Sequence, residues 1–200
     1  MRINLNKFLI FLYPIAFSLP ELAINAGAIN LRPDDIIIYL LLIMNLTKVL
    51  NLRLPNFFKI YVGLIIYASI SFVIILLTSF DLMVTSQAVR AIGSIPHFFV
   101  LILIFENTEY RKTIYYGTLI GSAIFLYNLA GNYQYVILNS AVNTSADFKE
   151  EVSFSTINPN AVATFGLILG WINILHFFEL RNKVAIIIGL VSLSTPFLIF

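Results

Sequence analysis

The sequence predicts an all-α fold, a polytopic transmembrane helical bundle of about seven spans with its N-terminus in the cytoplasm. Three observations carry that expectation. Long apolar blocks are broken by short polar gaps along the whole chain. The composition is 60% hydrophobic and only 11% charged, with a mean hydropathy of +0.92, against about 25% charged in an ordinary soluble domain. The basic residues crowd into every second gap, as they do when Lys and Arg collect in cytoplasmic loops.

The spans follow in order, each tested against the roughly 17–25 apolar residues that cross a bilayer. Phe8–Ile24 comes first, behind Arg2 and Lys7. The small residues Ala26-Gly27-Ala28 resemble a signal-peptide cleavage site. Pro14, Pro20 and Glu21 fit a signal peptide less well, so an uncleaved first span is expected. Ile36–Leu50 is short and can extend back through Asp34. Phe57–Ser79, Gln87–Phe105 and Ile114–Leu129 follow. Pro159–Phe178 opens on Asn158-Pro159-Asn160, where Asn158 suits an N-cap and Pro159 a first helical position. Val184–Phe200 runs to the last residue. Gly117-x-x-x-Gly121 and Gly166-x-x-x-Gly170 permit close helix contact. The sizeable polar connection, Asn139–Ile157, falls on the outer side and carries Asp147, Lys149, Glu150 and Glu151.

Placing the N-terminus inside puts Arg2, Lys7, Lys48, Arg53, Lys59, Arg111, Lys112, Arg181 and Lys183 in the cytoplasm. Arg32, Arg90 and Lys149 fall outside, so nine of the twelve cations obey the rule. Tyr13, Tyr39, Tyr61, Tyr110 and Tyr133 lie near span ends, as interfacial aromatics do. Residues 1–200 read as one integral membrane domain.

Several classes are excluded. A net charge of +2 with no Lys/Arg-rich run gives no nucleic-acid partner. Cysteine is absent, which removes disulfides and a Cys nucleophile. The two histidines, His97 and His176, are too few for a His-rich metal site. No Gly-rich phosphate loop, HExxH helix or GxSxG elbow appears. No metal and no cofactor is expected.

The residues able to carry chemistry sit on the outer side. Gln87, Arg90, Ser94 and His97 are spaced three, four and three apart, which places them on one helical face. That stripe descends about 15 Å. Ionisable groups inside a span are costly and face a polar cavity or a partner, and Pro96 frees a backbone carbonyl near His97. Arg90 suits an anionic headgroup because its planar fork donates paired hydrogen bonds and keeps its charge. Anchoring at lipid headgroups is the alternative for Arg90, and a bond to a neighbouring helix is the alternative for His97. In Leu31-Arg32-Pro33-Asp34-Asp35, Pro33 and the two carboxylates suit a helix N-terminus. Arg32 would add a second outer cation. A divalent ion on the two acids is disfavoured because neighbouring side chains point apart on a helix. His176, beside Glu179, reads as an interface residue.

Leu31–Ile36, Gln87–Arg90 and Phe154–Asn160, in that order and spacing, resemble the N-terminal half of the O-antigen ligase/polymerase family of bacterial envelope polysaccharide enzymes. The resemblance implies a glycosyltransferase acting at the periplasmic face on glycan carried by undecaprenyl diphosphate. Its partners would be that lipid-linked glycan, the bilayer, and lipid A–core or a growing glycan as acceptor. The lipid diphosphate leaves in such a transfer, so outer cations would stabilise the developing charge. Arg90 is carried over to that role first, with Arg32 and His97 beside it. Family members continue into a large periplasmic loop and further spans, whereas this chain ends inside the apolar Leu198-Ile199-Phe200. An incomplete polypeptide lacking the catalytic base is therefore expected, and no catalytic residue is assigned. The competing readings are a fragment of a polysaccharide-lipid transporter or flippase, and a non-catalytic membrane subunit.

Overall fold

The computed structural model describes residues 4–19, 24–26, 29–52, 56–78, 95–131 and 159–199. They form α1 (Leu5–Phe17), β1 (Ile24–Ala26), β2 (Ile29–Leu31), α2 (Pro33–Met44), α3 (Leu46–Leu50), α4 (Asn56–Thr78), α5 (Ile95–Glu106), α6 (Thr108–Gly131), α7 (Pro159–Leu180), α8 (Lys183–Leu193) and α9 (Thr195–Ile199). Two units divide the chain: Met1–Leu22 with Glu109–Phe200, and Ala23–Thr108.

The expected seven-span bundle does not survive. Among the described residues, one helix is long and apolar enough to cross a membrane, Val162–Leu180 within α7. Other described apolar helices, Leu5–Phe17, Ile95–Glu106 and Lys183–Phe197, fall below or at the short end of the roughly 17–25 residues a span requires. The helix in the expected first span, α1, has 13 residues, and α2 has 12. α4 is 23 residues long, and its described apolar stretch is Val62–Ser71. Small polar residues lie near three of the helix ends. Ser18 Oγ donates to the Pro14 carbonyl at 2.8 Å, Asn45 Nδ2 to the Leu41 carbonyl at 3.0 Å and Ser194 Oγ to the Val191 carbonyl at 2.7 Å. Each small polar side chain bonds back to its own helix, as Ser71 and Thr118 also do within theirs. The helical class itself holds, beside one short strand pair among the described residues. β1 and β2 pair antiparallel, with Ile24 opposite Leu31, Asn25 opposite Asn30 and Ala26 opposite Ile29.

In the first unit, α1 starts on Asn4, whose side chain accepts from the Lys7 N–H at 3.4 Å. Its buried residues Leu9, Ile10, Tyr13 and Pro14 form one stripe. The Gly117–Gly121 face of α6 receives the α1 backbone, as the small-residue spacing predicts. A Cβ on Gly117 would run into the Phe11 carbonyl, and one on Gly121 would lie 2.5 Å from the Pro14 oxygen. Lys7 and Glu109 add an exposed ion pair at 3.0 Å.

The core of this unit gathers Phe125 and Leu129 of α6 with Val162 and Leu169 of α7, and Phe17 packs against it. Phe17 meets Phe165 edge to face at 4.6 Å, a geometry that aromatic quadrupoles favour. α7 and α8 form a tight helical hairpin. Arg181 takes the left-handed conformation (φ 56°) and its N–H returns to the Phe177 carbonyl at 2.8 Å. Asn182 then caps α8 by accepting from the Val184 N–H at 3.1 Å. Glycines let the two helices touch: a Cβ on Gly189 would lie 3.1 Å from the Gly170 oxygen.

In the second unit, α2 buries Asp34, Ile38 and Leu41, a three–four spacing that makes one face. α5 buries Val100, Leu103 and Ile104. The described side chains of α4 are largely exposed, with Leu77 and Tyr67 the most open.

Candidate functional site, an ion-paired cluster at the start of α2

The second unit places four charge-bearing side chains together at the first turn of α2. Pro33 sits at the first helical position, where its missing N–H leaves no unmet bond. Asp35 turns back and accepts from the Arg32 backbone N–H at 3.0 Å, which satisfies one of the donors a helix start leaves over. Asp34 is the other carboxylate of this turn. The Arg32 guanidinium grips it with a fork, Nε to Oδ1 at 2.9 Å and a terminal nitrogen to Oδ2 at 2.6 Å. His97, from α5, closes the cluster with Nε2 2.9 Å from Asp35 Oδ1.

Burial grades these groups. The Asp34 side chain is 2% exposed and that of Arg32 28%. His97 and Asp35 are at 19% and 28%, so the cluster is open on the His97–Asp35 side. The electrostatics split accordingly. Burial pushes the Asp34 carboxyl up, and the Arg32 charge and fork offset that only in part, leaving it above the ordinary carboxylate value. Burial also pushes Asp35 up. There the hydrogen bond with His97, the Arg32 N–H and the charges of both neighbours prevail, so Asp35 lies below the ordinary value.

Of the three residues singled out from the sequence, the structure brings Arg32 and His97 to one cluster. Arg90 lies outside the described residues, as do Gln87, Ser94 and Asn158. The helix-start reading of Pro33, Asp34 and Asp35 matches what α2 does. The expectation that the two carboxylates point apart is corrected. One ligand atom from each of Asp34, Asp35 and His97 lies within 4.8 Å of the others. Both acids reach back toward Arg32, one to its side chain and one to its backbone, and this draws them together.

A second polar group was missed from the sequence and lies inside the first unit. Glu179 of α7 accepts from Arg111 Nε at 2.9 Å and from the Tyr115 hydroxyl at 2.8 Å, both on α6. His176, expected at an interface, is fully buried and stacks on Tyr115 at 5.2 Å. Asn173 donates to Ser122 Oγ at 2.7 Å. Glu179, His176 and Asn173 share a three-residue spacing on α7, which is the signal that places them on one face. They tie α7 to α6 and read as packing. The same unit carries an open apolar groove lined by Ile120, Ala123, Ile124, Tyr127, Val184 and Ile188.

The fold and site together define a mainly helical protein with, among the described residues, one candidate membrane-spanning helix and a partly buried ion-paired cluster. No family model matches the chain, and no curated protein or solved structure matches it significantly.

Proposed function

We propose that this protein works at the bacterial inner membrane, binds undecaprenyl-diphosphate-linked glycan at the Arg32–Asp34–Asp35–His97 cluster, and serves the transfer of that glycan to lipid A–core or to a growing chain. The observation that carries the reading is the meeting of Arg32 and His97. They come from the two motifs singled out for an anionic lipid, they lie on different helices, and Asp34 and Asp35 link them. Arg32 has the planar donor fork that diphosphate oxygens require. A partly buried site strengthens such bonds relative to water. Arg90 joins the reading through the family resemblance alone.

The test is binding of undecaprenyl diphosphate to the full chain in lipid nanodiscs, with undecaprenol as the comparison. Binding to the diphosphate at least tenfold tighter than to the alcohol is expected, and Arg32→Gln should remove most of that preference. Equal binding of the two lipids overturns the proposal. With lipid-linked glycan and acceptor in vesicles, new glycosidic linkages would add catalysis by this chain to the binding reading. Movement of the glycan across the bilayer without linkage would replace transfer by transport.

A further inference from the structure

We infer that Asp34, Asp35 and His97 form a binding site for a divalent cation of the Mn2+ type, and that the cation carries the lipid diphosphate.

The donor set comes first. Two carboxylates and one imidazole nitrogen offer atoms within 4.8 Å of one another. A hard cation sits about 2.1 Å from its ligands, so neighbouring ligands lie about 3 Å apart and opposite ones about 4.2 Å, and contraction by up to about 2 Å completes the set. Rotation of two short Asp side chains supplies that much. His97 arrives from α5, so the set is more than two neighbouring acids on a helix start. Mixed oxygen and imidazole ligation suits Mn2+, which tolerates both.

Charge is the second argument. Arg32 balances one of the two carboxylates. The carboxylates oppose the attraction that Arg32 offers a lipid diphosphate. A divalent ion on the carboxylates reverses the sign and presents open coordination positions to phosphate oxygens. Its arrival also competes with Arg32 for Asp34. The guanidinium displaced from that carboxylate remains beside the site, placed to grip the same diphosphate.

The biological role rests on the diphosphate-binding reading, whereas the cation site stands on its own geometry. The experiment titrates the purified full chain with Mn2+ alone, followed by electron paramagnetic resonance. One tight Mn2+ per chain is expected. Asp35→Asn and His97→Ala should each weaken it at least tenfold. Arg32→Gln removes a competing cation and should tighten Mn2+ several-fold, opposite to its effect on lipid binding. That gain of affinity requires a folded chain. Absence of a stoichiometric Mn2+, or affinity unchanged in His97→Ala, overturns the site. Undecaprenyl diphosphate binding equally well with Mn2+ and with excess chelator overturns the carrier role and leaves the lipid reading standing. Tight Mn2+ without any lipid binding supports the site and removes the lipid reading.

Discussion

Replacing Gly121 by Ala tests the contact on which the first unit is built. A methyl group there would lie 2.5 Å from the Pro14 carbonyl oxygen, 2.9 Å from the Pro14 carbonyl carbon and 2.9 Å from Ser18 Oγ. Comfortable contact between carbon atoms begins at about 3.5 Å, so α1 must retreat by about 1 Å. Two of the three obstacles are backbone and cannot rotate away. The third, Ser18 Oγ, is already bonded to the Pro14 carbonyl. Overpacking costs about 1–3 kcal/mol, and backbone against methyl belongs at the upper end. Alanine returns about 1 kcal/mol of helix propensity over glycine. The net loss is about 2 kcal/mol, a shift of about thirtyfold in the folded ratio. Gly63 is the matched control, because a Cβ there meets nothing within 4 Å inside α4. Gly63→Ala should gain up to about 1 kcal/mol. Denaturant unfolding of both variants in one mild detergent, followed by circular dichroism, measures the contrast. If Gly121→Ala is as stable as Gly63→Ala, α1 does not press on this face of α6 and the packing argument fails.

Other outcomes follow from the same geometry. Asp34→Asn leaves the Arg32 guanidinium without its carboxylate; removing one partner of a buried pair costs about 3–5 kcal/mol, and the partial exposure of Arg32 sets the low end. The double variant Arg32→Met/Asp34→Leu should recover at least half of that loss in the same unfolding assay. Arg181→Gly should stabilise the chain by about 1 kcal/mol, since glycine adopts a positive φ without the steric cost an L side chain carries; an unchanged or lower midpoint would contradict the turn. Asn182→Ala should cost about 1 kcal/mol through loss of the α8 cap. The hydrogen bond from Lys7 holds the exposed Glu109 carboxyl below its ordinary value, with the charges of Lys7 and Lys112 adding to it. A depressed carboxylate favours the fold above its ordinary value and loses that contribution as pH falls through the lower, folded one. In Lys7→Met the Glu109 midpoint should move up, as read by carbon NMR of the carboxyl, with little change in overall stability.

Much of the local chemistry was legible in the sequence. Pro33, Asp34 and Asp35 open a helix as their side chains dictate, and the Gly117–Gly121 spacing marks where a helix comes close. His97, at the end of a polar stripe in an apolar segment, needs a partner, and Asp35 is one. The span count was not legible. Hydropathy sums count apolar residues and do not show where a helix starts and stops, and α1 and α2 close after 13 and 12 residues. The convergence of the two acids was hidden for a different reason. Spacing along α2 separates neighbouring side chains, and the residue that sits against Asp35 comes from α5, sixty-two positions later. The Tyr115–Glu179 bond, across sixty-four positions, was hidden in the same way.

The first unit is discontinuous: α1 belongs to it, Ala23–Thr108 forms the other unit, and the α6 surface that α1 fits begins only after that. A ribosome adds about 5–20 residues per second. The hundred residues between α1 and the Gly117–Gly121 face therefore take about 5–20 s to appear. Through that interval α1 has left the exit tunnel with its apolar stripe uncovered, while the later unit can already assemble. The N-terminal helix is thus the first part made and among the last to dock, and its shielding in the meantime falls to the lipid surface or to chaperones.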